Sequence, residues 1–246
     1  MRPFLEQMER YSIIQEKNPR EIVLLRGNGC KWKKCAFCDY HTDSSKDESA
    51  NYALNREILS HVTGQHHRLE VINSGSFVDL DQRTIAEIRD ISVQKQIHTL
   101  HFECHWMHRT ELTPFSRFFM EAGIRVIYKI GVETFRIPFR EEVLRKGMGN
   151  ISPEEIASAG FGEINLLCGI DGLSAADTQN DIETGLRYFD RVCVNVMTEN
   201  STKISPSQKN IEAFVKEVYP VFRDNPRVDI LLENTDFGVG GVNDAE

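Results

Sequence analysis

Glu21-Ile22-Val23-Leu24-Leu25-Arg26-Gly27-Asn28-Gly29-Cys30-Lys31-Trp32-Lys33-Lys34-Cys35-Ala36-Phe37-Cys38-Asp39-Tyr40-His41 is the stretch on which the reading turns. Its first part is a short apolar run bounded by charge and glycine, the pattern of a strand buried on both faces of a parallel sheet. It empties into a loop that carries three cysteines within nine residues, spaced Cys-x4-Cys-x2-Cys. Parallel α/β barrels put their chemistry on the loops that follow the C-terminal ends of their strands. A first strand leading straight into a ligand loop therefore predicts such a barrel.

Outward from this strand, β-branched runs alternate with segments of helical period. Strands are expected at Glu21–Arg26, Leu69–Asn73, Ile97–Phe102, Ile124–Ile130, Glu163–Cys168, Arg191–Val196 and Arg227–Leu232. Helices are expected near Arg56–Thr63, Gln82–Gln94, Thr113–Ala122, Glu141–Arg145, Ala175–Tyr188 and Ser207–Phe222, with an opening helix over Phe4–Gln15. Strand, crossover helix and strand at this spacing mean βαβ units. Six units plus a last strand give an α/β fold: a partial (β/α)6 barrel with one additional C-terminal strand. With no internal repeat and no low-complexity linker, residues 1–246 read as a single domain.

The expected strand ends are polar. They run into the cysteine loop, Asn73-Ser74-Gly75-Ser76, Glu103-Cys104-His105, Gly131-Val132-Glu133-Thr134, Asn195-Val196-Met197-Thr198-Glu199-Asn200 and Glu233-Asn234-Thr235-Asp236. Any one of these reads as a solvated turn; six on one face make a site. His105 reads equally as a histidine satisfied over Trp106.

The chain has 29 Lys and Arg against 37 Asp and Glu, a net charge of −8. The excess lies in the second half, where 11 basic residues face 20 acids from Glu133 onward. A nucleic-acid binder needs a basic face to neutralise phosphates, and Lys31, Lys33 and Lys34 are the one local cluster. A small-molecule substrate is the better expectation, and nucleic acid is disfavoured. No run approaches the roughly 20 apolar residues of a membrane span, and the N-terminal residues lack a signal-peptide pattern. The expected compartment is the cytoplasm, with no membrane partner. In a reducing cytosol the clustered cysteines read as metal ligands, and Cys104, Cys168 and Cys193 as buried small hydrophobes.

Three thiolates on one short loop can ligate three irons of a [4Fe-4S] cluster and leave the fourth open, as a catalytic metal requires. The competing reading adds His41 as a fourth ligand and closes a structural zinc site, in a barrel protein without radical chemistry. Zinc of that kind staples small modules, whereas this loop follows the first strand of a large barrel.

The loop, with an aromatic at Phe37 just before Cys38, resembles the signature of the radical S-adenosylmethionine superfamily, and the resemblance covers about residues 15 to 240. The superfamily's usual spacing is Cys-x3-Cys-x2-Cys, one residue shorter than here. The resemblance implies a [4Fe-4S] cluster on Cys30, Cys35 and Cys38, with S-adenosyl-L-methionine as the second cofactor. It further implies that Asn73, Ser74 and Gly75 receive the methionyl amino group, and that Glu133 and Arg140, with Leu144, Lys146 and Gly147 behind them, bind ribose and methionyl carboxylate. Adenine would pack beside Phe37 and the Leu167-Cys168-Gly169-Ile170 stretch.

Within the superfamily, the motifs after strands two and four are similar to those of deazaguanine enzymes, the radical enzyme of archaeosine formation and, more so, bacterial queuine lyases of queuine salvage. That likeness implies a carbon–nitrogen lyase acting on queuine or a related deazaguanine base and releasing 7-aminomethyl-7-deazaguanine. A reducing flavodoxin or ferredoxin would supply the electron. A guanine-type edge offers adjacent N–H donors that a carboxylate accepts in pairs. Glu199, Glu233 and Asp236 are candidates for that edge. Glu103, His105, Asn195 and Asn200 are the candidates around the reacting diol. The alternative within the superfamily is modification of a deazaguanine in tRNA with a partner subunit, for which the acidic second half is awkward.

Overall fold

The computed structural model describes residues 8–241. Eight strands form one sheet in the order of the chain: β1 (Tyr11–Ile14), β2 (Arg20–Leu25), β3 (Arg68–Asn73), β4 (Thr99–Glu103), β5 (Arg125–Glu133), β6 (Phe161–Cys168), β7 (Arg191–Val196) and β8 (Val228–Leu231). β2 to β8 are all parallel, and β1 pairs antiparallel with β2, Tyr11 opposite Val23 and Ile14 opposite Arg20. The curled sheet is the expected partial barrel with one strand added at its leading edge. Among the described residues no helix is long and apolar enough to cross a membrane.

The helices are α1 (Glu48–Ser60), α2 (Gln82–Gln94), α3 (Leu112–Met120), α4 (Pro153–Ser158), α5 (Ala175–Tyr188), α6 (Gln208–Glu217) and α7 (Tyr219–Phe222). α2 starts where Asp81 accepts from the backbone N–H groups of Arg83 and Thr84, and α5 where Ser174 and Asp177 form a capping box. Such caps satisfy the orphan donors of a first turn, and both helices keep the bounds expected from sequence. Pro220 cannot donate a helical N–H, and it falls where the expected Ser207–Phe222 helix divides into α6 and α7.

Three expectations are corrected. The opening helix is overturned where it can be seen: Tyr11-Ser12-Ile13-Ile14 is a strand, because an aromatic and β-branched run has the free edge of β2 to pair with. The earlier part of that expectation lies outside the described residues. α1 begins at Glu48 rather than Arg56, capped by Asp47, which accepts from Ala50 N–H. The Glu141–Arg145 helix is instead a π-helical turn at Phe139–Val143. The true helix α4 follows it, opened by the Ser152–Glu155 capping box.

Strand alternation divides the sheet's faces. Val23, Leu25, Val71, Leu100, Phe102, Tyr128, Ile130, Ile164, Leu166, Val192 and Val194 face the helices and form the main core with Ile88, Phe119, Ile182 and Phe214. The inner face is charged near its base. Arg20 and Lys129 share the Glu70 carboxylate, Lys129 Nζ stands 4.0 Å from Glu163, His101 Nδ1 is 3.2 Å from Glu163, and Arg191 binds Asp229 at 2.9 Å. Buried charges are tolerable only when paired in this way. The pairing holds the Glu70 carboxyl well below its ordinary range: burial opposes ionisation, and the Arg20 and Lys129 cations outweigh it. This balanced floor closes the base of the barrel and leaves the C-terminal rim as the accessible end.

Candidate active site

The cysteine loop leaves β2 and is fastened on three sides. Ala36 N–H donates to Leu144 O at 2.9 Å, and Trp32 Nε1 donates to Arg145 O at 2.8 Å, tying it to the segment after β5. Asn200 Nδ2 donates to Phe37 O, while Asp39 accepts from the N–H and hydroxyl of Ser201, tying it to the loop after β7. The third tie is stacking: the His105 ring lies 5.4 Å from Trp32. Gly147, at φ +65°, lies so close to the indole that a Cβ there would run into it. Only glycine combines that conformation with that approach at little cost.

Cys30, Cys35 and Cys38 are half-buried and unpaired in this loop, while Cys104, Cys168 and Cys193 are buried elsewhere. Burial pushes the Cys35 and Cys38 thiols up, Cys38 to about 12, and the Lys146 ammonium pulls both back. A bound metal deprotonates such thiols outright. Among the described residues no three His, Cys, Asp or Glu side chains converge as ligands of one ion. A four-iron cluster asks for less convergence, since each thiolate takes a different iron. Gly75 packs against the loop here: a Cβ on it would come within 3.1 Å of Cys30 Cα. The thiolate donor set and the glycine-lined approach at Cys30 suit a [4Fe-4S] cluster.

Beside the loop, Lys146 Nζ binds Glu133 Oε1 at 2.9 Å with both side chains buried, and the ammonium lies 5.7 Å from the Phe37 ring. Burial favours neutral Lys146, but Glu133 more than compensates and holds it ionised. Glu133 adopts φ +66°, where the register of β5 slips against β6. A non-glycine residue pays for that conformation, and it occurs here at the carboxylate that holds Lys146. Leu144, Leu167, Ile170, Leu173 and Met197 form a second apolar cluster, with Phe37, Phe139 and Ile204 packed on it. The rim thus has an apolar wall beside the cysteines and a charged pair in front of them.

The expected residues divide. Asn73 is buried, donates to Ser76 O and has no partner for its Oδ1. Ser74 lies 3.5 Å from Asp43, which Arg10 holds. Arg140 is 0% exposed, bound to Glu141 and to the Gly149 and Ile151 carbonyls, with Nη1 unpartnered. Glu103, at the end of β4, accepts from Asn165 Nδ2 at 2.8 Å through Oε1, and among the described residues none donates to its Oε2. Burial raises the Glu103 pKa and the Lys129 ammonium below it restrains the rise. Asn195 makes only a long contact to Leu166 O, 3.4 Å.

Three placements are corrected. His105 is satisfied rather than free, donating from Nε2 to Lys146 O and accepting at Nδ1 from Met107 N–H; it packs on Trp32, not Trp106. Burial and the Lys146 ammonium lower its pKa to about 4, so it is neutral and positions three loops. Cys168 turns outward into the main core, because strand alternation gives the inner face to Leu167. Asp236 accepts the Leu232 and Glu233 N–H groups of its own turn, both through Oδ2. Asn200 is consumed by Phe37 O and Thr202 N–H. Glu199 and Glu233 are exposed on the rim and Gly169 turns beside α6. Asn165, Lys129 and Phe139 went unremarked in the sequence. The signal for the first two was a polar residue at strand period in an otherwise apolar run.

No family model and no curated protein matches the chain. Among solved structures, it is similar to queuine lyase from Clostridium spiroforme bound to SAM and queuine, at 40% identity, covering 95% of this chain and 100% of that one, with a TM-score of 0.90. The chain belongs to the queuine lyase family. Membership at this identity and coverage means that the family's partial barrel is this chain's fold throughout. It also makes this queuine lyase relative a lyase of the radical S-adenosylmethionine kind.

Proposed function

We propose that this chain is a carbon–nitrogen lyase that cleaves queuine to 7-aminomethyl-7-deazaguanine. The observation that carries the reading is the 40% identical solved relative, whose structure holds SAM and queuine. When bound, a [4Fe-4S] cluster with S-adenosyl-L-methionine supplies an electron and a 5′-deoxyadenosyl radical, which abstracts the substrate hydrogen that starts cleavage. Cys30, Cys35 and Cys38 would ligate the cluster. Asn73, with its free buried Oδ1, and the backbone of Ser74 and Gly75 line the place for the methionyl amino group. Phe37, Leu167, Ile170 and the turn at Gly169 form the apolar wall for adenine. Lys146 orients Glu133 so that its second oxygen can accept from ribose hydroxyls. Arg140 acts at one remove, bracing the segment that carries Lys146.

For the substrate, Glu103 has the strongest claim among the carboxylates first considered. It is fixed by Asn165 and lies half-buried on the interior face of β4, whereas Asp236 is exposed past β8 with its Oδ2 held by its own turn. A carboxylate accepts paired N–H donors of a guanine-type edge at charge-assisted strength. Asn195, at the end of β7, suits a hydroxyl of the diol. Glu199 and Glu233 would guard the rim. The protein works in the cytoplasm on a free base, with a reducing flavodoxin or ferredoxin as electron source and no nucleic acid. The test is anaerobic turnover of the reduced, reconstituted protein with free queuine beside queuosine-containing tRNA, products followed by mass spectrometry. Release of 7-aminomethyl-7-deazaguanine and 5′-deoxyadenosine from free queuine is expected. Reaction of the tRNA alone, or 5′-deoxyadenosine formed equally fast without queuine, would refute the assignment.

A further inference from the structure

The sequence holds one basic cluster that the site does not use. Lys31, Lys33 and Lys34 lie between two cluster cysteines, and all three are exposed. They are displayed on a stiff platform: Lys34 Nζ stands 4.8 Å over the Trp32 ring, whose other contacts are His105, Gly147 and the Arg145 carbonyl. The Arg145 side chain is also exposed, at φ +57°. Two apolar side chains on the same fastened segments are exposed as well, Met107 (42%), whose N–H binds the His105 ring, and Val143 (43%), two residues before Arg145. Glu111 and Glu142 are exposed acids on these segments. The chain as a whole is acidic, with a net charge of −8.

A basic patch with apolar members, set on an acidic molecule, steers an acidic partner to one place and repels it elsewhere. Its position in the cysteine loop says what such a partner would be for. We infer that Lys31, Lys33, Lys34 and Arg145, with Met107 and Val143, form the docking surface for a small acidic one-electron carrier protein of the flavodoxin type. This rests on the assignment of a redox cluster to Cys30, Cys35 and Cys38. In the step served, the anionic flavin hydroquinone loses one electron and becomes the neutral semiquinone, and the cluster gains that electron; no atom is transferred. Redox encounters of this kind use small interfaces, under about 1,200 Å², which a few lysines and two apolar side chains can furnish.

The experiment compares the reconstituted wild-type protein with K31E/K33E/K34E and with the milder K31Q/K33Q/K34Q. Stopped-flow absorbance follows cluster reduction by flavodoxin hydroquinone or by dithionite, and calorimetry follows binding of oxidised flavodoxin. With wild type, the second-order rate with flavodoxin should fall as salt is added. The charge-reversed variant should be about 10- to 100-fold slower at low salt, and its rate should rise rather than fall as salt screens the repulsion. The neutral variant should lie between them, and dithionite should reduce all three equally. Calorimetric binding should weaken in the same order. Equal rates with flavodoxin would overturn the inference, as would equal slowing with dithionite, which would mean a damaged loop. Salt-dependent tRNA binding lost in the variants while flavodoxin reduction is unchanged would assign the patch to phosphate instead. Neither readout uses queuine, so a wrong substrate leaves this result standing on its own.

Discussion

Replacing Lys146 by Met isolates the electrostatic heart of the site. The methionine keeps most of the apolar stem and removes only the ammonium, which lies 2.9 Å from Glu133 Oε1 with both side chains 8% exposed. Breaking a buried pair from one side leaves an uncompensated charge and costs about 3–5 kcal/mol. For a chain of this size, about 2–4 °C of melting temperature goes with each kcal/mol, so a fall of roughly 10 °C is expected. The double variant K146M/E133Q carries no orphan charge. It should lose only about 1–2 kcal/mol, the scale of ordinary buried hydrogen bonds. The double should therefore be more stable than the single. Urea unfolding of the cluster-free chain by circular dichroism, run as a double-mutant cycle, reads the difference directly. A double variant as unstable as K146M alone, or less stable, would refute the argument. The loss would then belong to packing around the Lys146 stem, not to the charge on Glu133.

Other consequences are as direct. Cys35→Ala should lose iron loading and turnover, whereas Cys193→Ala, buried among inner-face charges, should retain iron; iron and sulfide analysis separates them. Glu133→Gln should weaken S-adenosyl-L-methionine binding in calorimetry while the cluster absorbance is unchanged. Asp181, 2% exposed and accepting from Phe135 N–H, has its pKa raised by burial from 3.8 to about 6. Its contribution is fully present below pH 3.8 and is lost as pH rises through about 6, on the order of 3 kcal/mol at most. Asp181→Asn should therefore gain stability at pH 7.5 but much less at pH 5, in urea midpoints; identical pH slopes in the two proteins would exclude this burial penalty.

Periodicity carried most of the architecture, because seven parallel strands buried on both faces stand out as apolar runs between capped helices. α2 and α5 came out with their bounds intact since Asp81 and Ser174 announce them. β1 did not, because an edge strand is defined by the neighbour it pairs with, and Tyr11–Ile14 contains nothing that names β2 as that neighbour. In the site, the cysteine spacing and the strand-end motifs located the rim. They could not tell which polar groups were already spent. His105 and Asn200 look like Glu103 in a sequence; only the fold shows that Lys146 O and Phe37 O have claimed the first two. The inner charges were hidden for the opposite reason. Glu70, His101, Lys129 and Glu163 each sit singly in an apolar strand, where one charge reads as noise until the barrel closes them on one another.

The sheet's leading and trailing ends also meet. Past β8, the chain returns to β1, where Gly240 N–H donates to Glu9 O and Glu9 N–H to Gly241 O, with Lys17 Nζ reaching Val228 O nearby. These contacts span almost the whole described chain, whereas each parallel strand pair needs only its own crossover. Closing so long a loop carries a larger entropic penalty than closing any crossover, and contacts of high sequence separation form slowly. The β1 seam is thus the last and slowest of the sheet's contacts to form. On a ribosome, β2 to β8 can assemble in order of synthesis, but β1 gains these contacts only after the final residues of the seam have emerged.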